Sequence, residues 1–250
     1  MASYLNTFLF GIYPYIALSV MVIGCIIRYD REPYTWRSGS SQLLRRRQLI
    51  WGSNLFHVGV LIVFLGHLVG LLTPIWVFDV IGIGHGAKQL LAVVVGGVAG
   101  VACLVGGAML LHRRLADPRI RRTSSFGDIA ILILLLVQLV LGLVTILIST
   151  RHLEGGEMLR FMAWAQGIFS FRPGAADLVA DAHWIFKMHI VLGLTIFLVF
   201  PFTRLVHMLS FPIRYLWRTG YQIVRVRSPG RVNPLRRGAV PPRLPGRAAE

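Results

Sequence analysis

Long apolar runs alternate with short polar segments along most of this chain. Five runs are long enough to cross the ~30 Å hydrocarbon core of a membrane as helices, at roughly residues 5–27, 50–72, 89–111, 127–149 and 183–209. Lipid offers the backbone no hydrogen-bond partners, so a helix is expected for each run. The pattern therefore predicts an all-α protein, an integral membrane bundle of five transmembrane helices.

Positive charge is unevenly distributed between the two ends of these predicted helices. The formal net charge is +16, yet only five of the 26 Lys and Arg residues fall on the side that holds the N-terminus: Lys88, Arg151, Arg160, Arg172 and Lys187. Cytoplasmic loops of membrane proteins carry such an excess, so the N-terminus is predicted outside and the C-terminus in the cytoplasm. The positive charge lies on one side of the spans, as is typical of membrane proteins. It therefore does not indicate nucleic-acid binding, and no nucleic-acid partner is expected.

The composition changes near residue 227. Residues 1–227 contain the five spans, whereas 228–250 are rich in Pro and Arg. The latter composition cannot bury a core and predicts a disordered basic cytoplasmic tail that is attracted to anionic lipid headgroups.

Between the fourth and fifth spans, the apolar segment "FMAWAQGIFSF" is consistent with a short helix at the outer interface, with Trp164 in the interfacial layer.

Four histidines lie within the predicted spans, where a polar ring needs a partner. His57 and His67 are on the second span, and His189 and His207 are on the fifth. The two spans run in opposite directions. Depth in the membrane therefore pairs His57 with His207 on the cytoplasmic side and His67 with His189 nearer the outside.

Straight helices accommodate these pairs imperfectly. The ten residues from His57 to His67 rise about 15 Å and the eighteen from His189 to His207 about 27 Å, a mismatch of about 12 Å. Eighteen residues make five full turns, so His189 and His207 are predicted to share one face of the fifth span. The helices would have to splay or tilt for both pairs to form.

Two imidazoles that approach one site from opposite helices are typical of the axial ligands of haem iron. Zinc fits less well, because it takes four ligands at one depth and these histidines lie at two depths. A relay of histidines that carries protons through a transporter is the main competing interpretation.

Cys25 and Cys103 also fall inside spans. There is no Cys-x-x-Cys-His motif for covalent haem attachment, and two thiols cannot hold an iron–sulfur cluster alone. Both are interpreted as small buried side chains.

The glycines of the second and third spans, including "GGVAG" at 96–100, allow either close helix packing or room for a flat cofactor.

Spans and loops together resemble one known family. The segments that carry the resemblance are "IYPYIALSVMVIG", "RYDREPYTWRSGSSQ", "SNLFHVGVLIVFLGHLVGLLTP", "EMLRFMAWAQGIFSF" and "KMHIVLGLTIFLVFPFTRLVH". Over approximately residues 1–227 the chain resembles the gamma chain of respiratory nitrate reductase, a dihaem cytochrome b membrane subunit. The resemblance implies two haem b groups. His57 and His207 would be the iron ligands on the cytoplasmic side, and His67 and His189 those near the outer face.

The resemblance also implies a function, as a subunit of a quinol:nitrate oxidoreductase in the cell (inner or plasma) membrane. Quinol is oxidised near the outer face and its protons leave on that side. Electrons pass through the two haems to a cytoplasmic iron–sulfur beta subunit and then to a molybdenum-containing alpha subunit. Nitrate is reduced in that partner, and no nitrate site is expected in this chain.

For the quinol site, the family's lysine near the start of the third span matches Lys88 in "GAKQLL". A lysine at the outer interface can donate to a quinone oxygen, although an ordinary interfacial anchor is the alternative. Gly66, next to His67, would let a flat ring approach. The loop before Lys88 departs from the family in detail, and His85 within it is a further candidate proton acceptor.

Two alternatives stay open at this point. A related dihaem cytochrome b that serves a formate dehydrogenase or hydrogenase would exchange electrons with quinone. A haem-free transporter or channel would use the histidines as a proton relay. The loop motifs favour nitrate reductase over the first alternative, and the pairing of histidines by depth opposes the second.

Overall fold

The computed structural model describes residues 2–36, 44–150 and 156–210, and within these residues every regular element is helical. The predicted tail, 228–250, lies outside the described residues. Helix α1 (Ala2–Thr7) continues through a π-helical turn into α2 (Tyr13–Arg31). The remaining α-helices are α3 (Arg46–Leu72), α4 (Ile75–Val80), α5 (His85–Ala116), α6 (Pro118–Arg122), α7 (Phe126–Ser149), α8 (Gly156–Phe169) and α9 (Trp184–Val199).

Five helical segments are long and apolar enough to cross a membrane, as predicted: Tyr4–Arg31, Arg46–Leu72, Gly86–Ala116, Phe126–Ser149 and Trp184–Phe202. The first four predicted runs lie inside the first four of these segments. Most of the helices extend beyond the apolar run, because arginines such as Arg31 and Arg46 continue the helix at its ends.

The fifth predicted run, 183–209, is wrong at its C-terminal end. Helix α9 ends at Val199, and a 3₁₀ turn, Phe200–Phe202, follows it. Thr203 is extended (φ −116°, ψ 178°), and a second 3₁₀ turn, Arg204–Leu209, then carries His207. Pro201 explains the break, since proline has no N–H to donate and its ring clashes with the preceding helical turn. The prediction that His189 and His207 share one face of a continuous helix is therefore wrong.

The segment between the last two spans contains the short helix that was expected, α8. Trp164, however, is buried inside the protein instead of lying in the interfacial layer. Its Nε1 donates to the carbonyl of Phe10 (2.9 Å), and the hydroxyl of Tyr15 donates to the carbonyl of Ile168 (3.0 Å). The Gln166 side chain also donates to two carbonyls at the end of α3. Helix α8 is thus tied to the first and second membrane helices.

Small residues set the spacing between α3 and α5, the most extensive helix contact of the described residues. A Cβ added at Gly59 would lie 2.6 Å from the Ala99 carbonyl oxygen and 2.7 Å from Cys103 Cβ. A Cβ at Gly66 or Gly70 would meet nothing within 4 Å. These three glycines share one face of α3 at the helical period. The two helices therefore touch near Gly59 and diverge towards Gly70.

This contrast predicts opposite effects for the same substitution. Gly59→Ala should destabilise the chain by about 1–3 kcal/mol, because the new methyl group meets backbone atoms of α5. Gly70→Ala, the matched control, should be neutral or stabilising by up to about 1 kcal/mol, because alanine favours helix over glycine. Thermal unfolding in detergent compares the two, and equal midpoints would contradict the packing described here.

Candidate functional site

The four histidines of the second and fifth predicted spans meet in two pairs. The ring centres of His57 and His207 are 6.4 Å apart, with an interplanar angle of 67°. Those of His67 and His189 are 6.0 Å apart, at 37°. Helix α3 packs chiefly on α5, and α9 on α2 and α7. The pairs therefore form between elements that share few close contacts. Because α9 ends at Val199 and His207 lies on a later turn, the rise of a straight eighteen-residue helix does not apply to His189 and His207.

Three of the four rings are held by the carbonyl of a nearby residue. Nδ1 of His57 lies 2.8 Å from the Ser53 carbonyl oxygen, Nδ1 of His67 lies 2.8 Å from that of Val63, and Nδ1 of His207 contacts that of Arg204. A carbonyl only accepts, so each Nδ1 carries a proton, and in the neutral ring Nε2 then has the free lone pair that can bind a metal. Histidines that bind metals use the same arrangement to fix the ring and its tautomer.

His189 is held from a neighbouring helix instead. The Gln138 amide on α7 donates to the His189 carbonyl (3.0 Å) and lies 3.4 Å from His189 Nε2. Gly142, one turn along α7, makes room for the ring, since a Cβ there would lie 3.0 Å from His189 Cε1. The sequence did not single out Gln138 or Gly142. Their spacing of one turn in an otherwise apolar helix was the only signal.

A site with two imidazoles suits a metal whose other ligands come from a prosthetic group. No group of three or more His, Cys, Asp or Glu residues that could hold a metal occurs in the described ranges, which argues against zinc. Haem iron needs only axial ligands from the protein. A first-row metal bonds an imidazole nitrogen at about 2 Å, so two imidazoles on opposite sides of it have ring centres roughly 6 Å apart. The ring centres of both pairs lie near this spacing, which is consistent with an iron bound between the two rings of each pair.

Lys88, near the start of α5, is buried, which disfavours the alternative of an ordinary interfacial anchor. Only 7% of it is exposed. Its Nζ donates to Met162 Sδ on α8 (2.8 Å) and lies 3.6 Å from the centre of the Phe78 ring. A thioether is a weak acceptor and an aromatic face a diffuse one. Met162 could not be foreseen, because it is distant in sequence. The side chain of His85 is outside the described residues.

Arginines cluster with aspartates at the opposite end of the bundle, and one of them, Arg204, starts the turn that carries His207. The cluster contains Arg45, Arg113, Arg114, Arg204, Asp117 and Asp128. Arg204 and Arg114 lie 3.5 Å and 4.0 Å from the Asp128 carboxylate. Arg113 is buried and donates to the Leu44 carbonyl. The four arginines outnumber the two aspartates, so the cluster is suited to binding carboxylates.

The other described histidines are outside the two pairs. His112 is exposed, and its Nδ1 lies 3.2 Å from the Gln48 side-chain nitrogen. His183 caps the start of α9 by accepting a hydrogen bond from the Ile185 backbone N–H (3.3 Å). His152 lies outside the described residues.

Comparison with known proteins points to one family. The model of the family described as nitrate reductase gamma subunit matches residues 6–227. The respiratory nitrate reductase 1 gamma chain of Escherichia coli (strain K12) is 48% identical over 225 residues, which cover 90% of this chain and 99% of that protein. The respiratory nitrate reductase 2 gamma chain of the same organism is 49% identical over 227 residues, which cover 91% of this chain and 100% of that protein. The nitrate reductase gamma chain of Bacillus subtilis (strain 168) is 40% identical over 220 residues (88% and 98%).

The pairing predicts how bound haem is lost. If each pair holds one haem, His57→Ala and His207→Ala should each remove one haem per chain, and the double variant should remove no more than either single one. Combining His57→Ala with His189→Ala should remove both. The measurement is haem per chain after purification, with His112→Ala as the control. Loss of two haems in the His57→Ala, His207→Ala double variant would contradict the pairing.

Proposed function

Since the chain belongs to the nitrate reductase gamma subunit family, we propose that it oxidises quinol near the outer membrane face and delivers the electrons to a cytoplasmic iron–sulfur subunit for nitrate reduction. The observation that carries this proposal is the presence of two imidazole pairs at two levels of one membrane bundle. When bound, two b haems at these levels supply one-electron transfer between the two membrane faces.

His57 and His207 would hold the haem on the cytoplasmic side, and His67 and His189 the haem nearer the outside. In His57 and His67, the bond from Nδ1 to a carbonyl one turn earlier leaves Nε2 as the ligating atom. Both side chains are exposed on a helix of membrane length, where a ring nitrogen without a partner is costly in free energy. Binding of iron would give each Nε2 a partner.

The orientation follows from charge. The N-terminus is proposed outside and the C-terminus in the cytoplasm, because the arginine-rich segments all fall on one side of the five spans. The cluster around Asp117 and Asp128 lies on that side. Arg113 or Arg114 would pair with a propionate of the cytoplasmic-side haem, and a guanidinium group suits a carboxylate because it offers paired donors.

The quinol site is proposed between α3 and α5, where these helices diverge. Gly66 leaves open space beside His67, so a flat ring can approach without meeting a side chain from Gly66. Lys88 would donate to a quinol oxygen, which is a stronger acceptor than the Met162 thioether it now contacts. The proton released on oxidation would leave on the outer side.

The chain would act within an assembly. The proposed partners are the iron–sulfur beta subunit and the molybdenum-containing alpha subunit, and the surrounding membrane lipid completes the environment. Reduction of nitrate would take place in the alpha subunit. Electrons that move inward while protons stay outside would contribute to the membrane potential.

The function is tested in the assembled complex. His67→Ala or His189→Ala should abolish nitrate reduction driven by a quinol analogue, while the chain still inserts, because only the outer pair is broken. Activity is measured in membrane vesicles and insertion by immunoblotting of washed membranes, with His112→Ala as the matched control. Wild-type rates in either variant, or no quinol oxidation by the unaltered complex, would overturn the proposal.

A second experiment separates quinol binding from haem binding. Lys88→Ala should lower quinol turnover at least tenfold, roughly the loss of one charge-assisted hydrogen bond worth about 1.5–3 kcal/mol, with both haems retained. Lys187→Ala serves as the control, because the Lys187 ammonium already donates to the Ala180 carbonyl. Haem loss in Lys88→Ala would instead make this lysine structural.

A further inference from the structure

The last membrane helix ends in a break, and the first membrane helix holds that break in place. After Val199, the extended residue Thr203 separates two 3₁₀ turns. We propose that Arg28, on α2, is a positioning residue for His207, because it fixes the backbone from which this ligand projects. The proposal rests on the proposed function, since it concerns the haem that His57 and His207 would hold.

Arg28 binds two segments, residues 201–203 and Thr35, with one guanidinium group. Nη1 donates to the carbonyls of Pro201 (2.6 Å), in the first 3₁₀ turn, and of Thr203 (2.8 Å), the extended residue that follows this turn. Nη2 donates to the Thr35 carbonyl (3.0 Å), and Nε lies 3.2 Å from the Thr35 hydroxyl. Arginine suits this task because its donors lie in one rigid plane. At the end of a membrane helix, carbonyls released by a break need such a donor.

The same face of α2 also receives the proline. Gly24 lies one turn before Arg28, so the two residues share a helix face. A Cβ at Gly24 would lie 2.8 Å from Pro201 Cγ, which means that the proline ring rests directly on the α2 backbone. Contact at Gly24 and hydrogen bonds from Arg28 together define where the chain leaves the α9 axis.

Only a short turn separates this anchor from the ligand. The Thr203 hydroxyl accepts from the Leu205 backbone N–H (3.3 Å) and starts the turn Arg204–Leu209. Val206 is completely buried in the core, and Nδ1 of His207 contacts the Arg204 carbonyl. The imidazole therefore takes its position from the turn, and the turn takes its position from Thr203.

The test uses the complete complex with its partner subunits. Arg28→Gln removes the charge and the planar set of donors, and Arg28→Lys keeps a charged donor that can reach one carbonyl. Arg31→Gln is the matched control, since Arg31 lies one turn further along α2 with its side chain 81% exposed and pairs only loosely with Asp30 (3.8 Å). The readouts are haem content, the midpoint potential of each haem and its low-spin electron paramagnetic resonance signal.

We expect Arg28→Gln to shift the potential and the resonance signal of the cytoplasmic-side haem, with those of the outer haem unchanged, and Arg28→Lys to restore part of the shift. An unshifted haem in Arg28→Gln, relative to Arg31→Gln, would overturn the proposal. If Arg28→Gln does not assemble, Arg28→Lys decides, and a wild-type signal there would overturn it. A wild-type complex without haem would overturn the proposed function itself.

Discussion

The hydrogen bond from a histidine Nδ1 to a backbone carbonyl one turn earlier is the interaction on which the rest of the structure depends. In His57 and His67 it satisfies one ring nitrogen within α3 itself and leaves the other facing outwards. An unpaired polar group in an apolar environment costs roughly 2–7 kcal/mol, so the second nitrogen needs a partner too. The bundle places His207 and His189 opposite these rings.

This requirement explains why α3 and α9 are neighbours without close packing. Each takes its close contacts from other helices, α3 from α5 and α9 from α2 and α7. Glycines bring α3 and α5 together near Gly59 and leave space at Gly66. The break at Pro201 places His207 on a separate turn instead of on a continuation of α9, and Arg28 binds the carbonyls of Pro201 and Thr203 there.

Much of this could be predicted from the sequence, because the signals were local or periodic. Apolar length identified the five spans, and opposite span direction identified which histidines would meet. The end of the fifth span was missed although its signal was present, since Pro201 in "FPFTR" predicts a break more strongly than apolar length predicts continuation.

Other features depend on contacts between residues far apart in the chain. The hydrogen bond from Lys88 to Met162 joins α5 and α8, and the hydrogen bond from Gln138 to the His189 carbonyl joins α7 and α9. Nothing in the sequence marks Met162 as the partner of Lys88, and the position of Gln138 on α7 does not show that it contacts His189. The burial of Trp164 was missed for the same reason, because an aromatic residue near a membrane face suits either the interface or the core.

The most direct test of the central claim is a pyridine haemochrome assay on the unaltered complex, with haem counted against this chain. Two b haems per chain are expected, one for each imidazole pair. A complex that carries no haem on this chain would contradict the account and would leave the paired histidines to a pathway for protons.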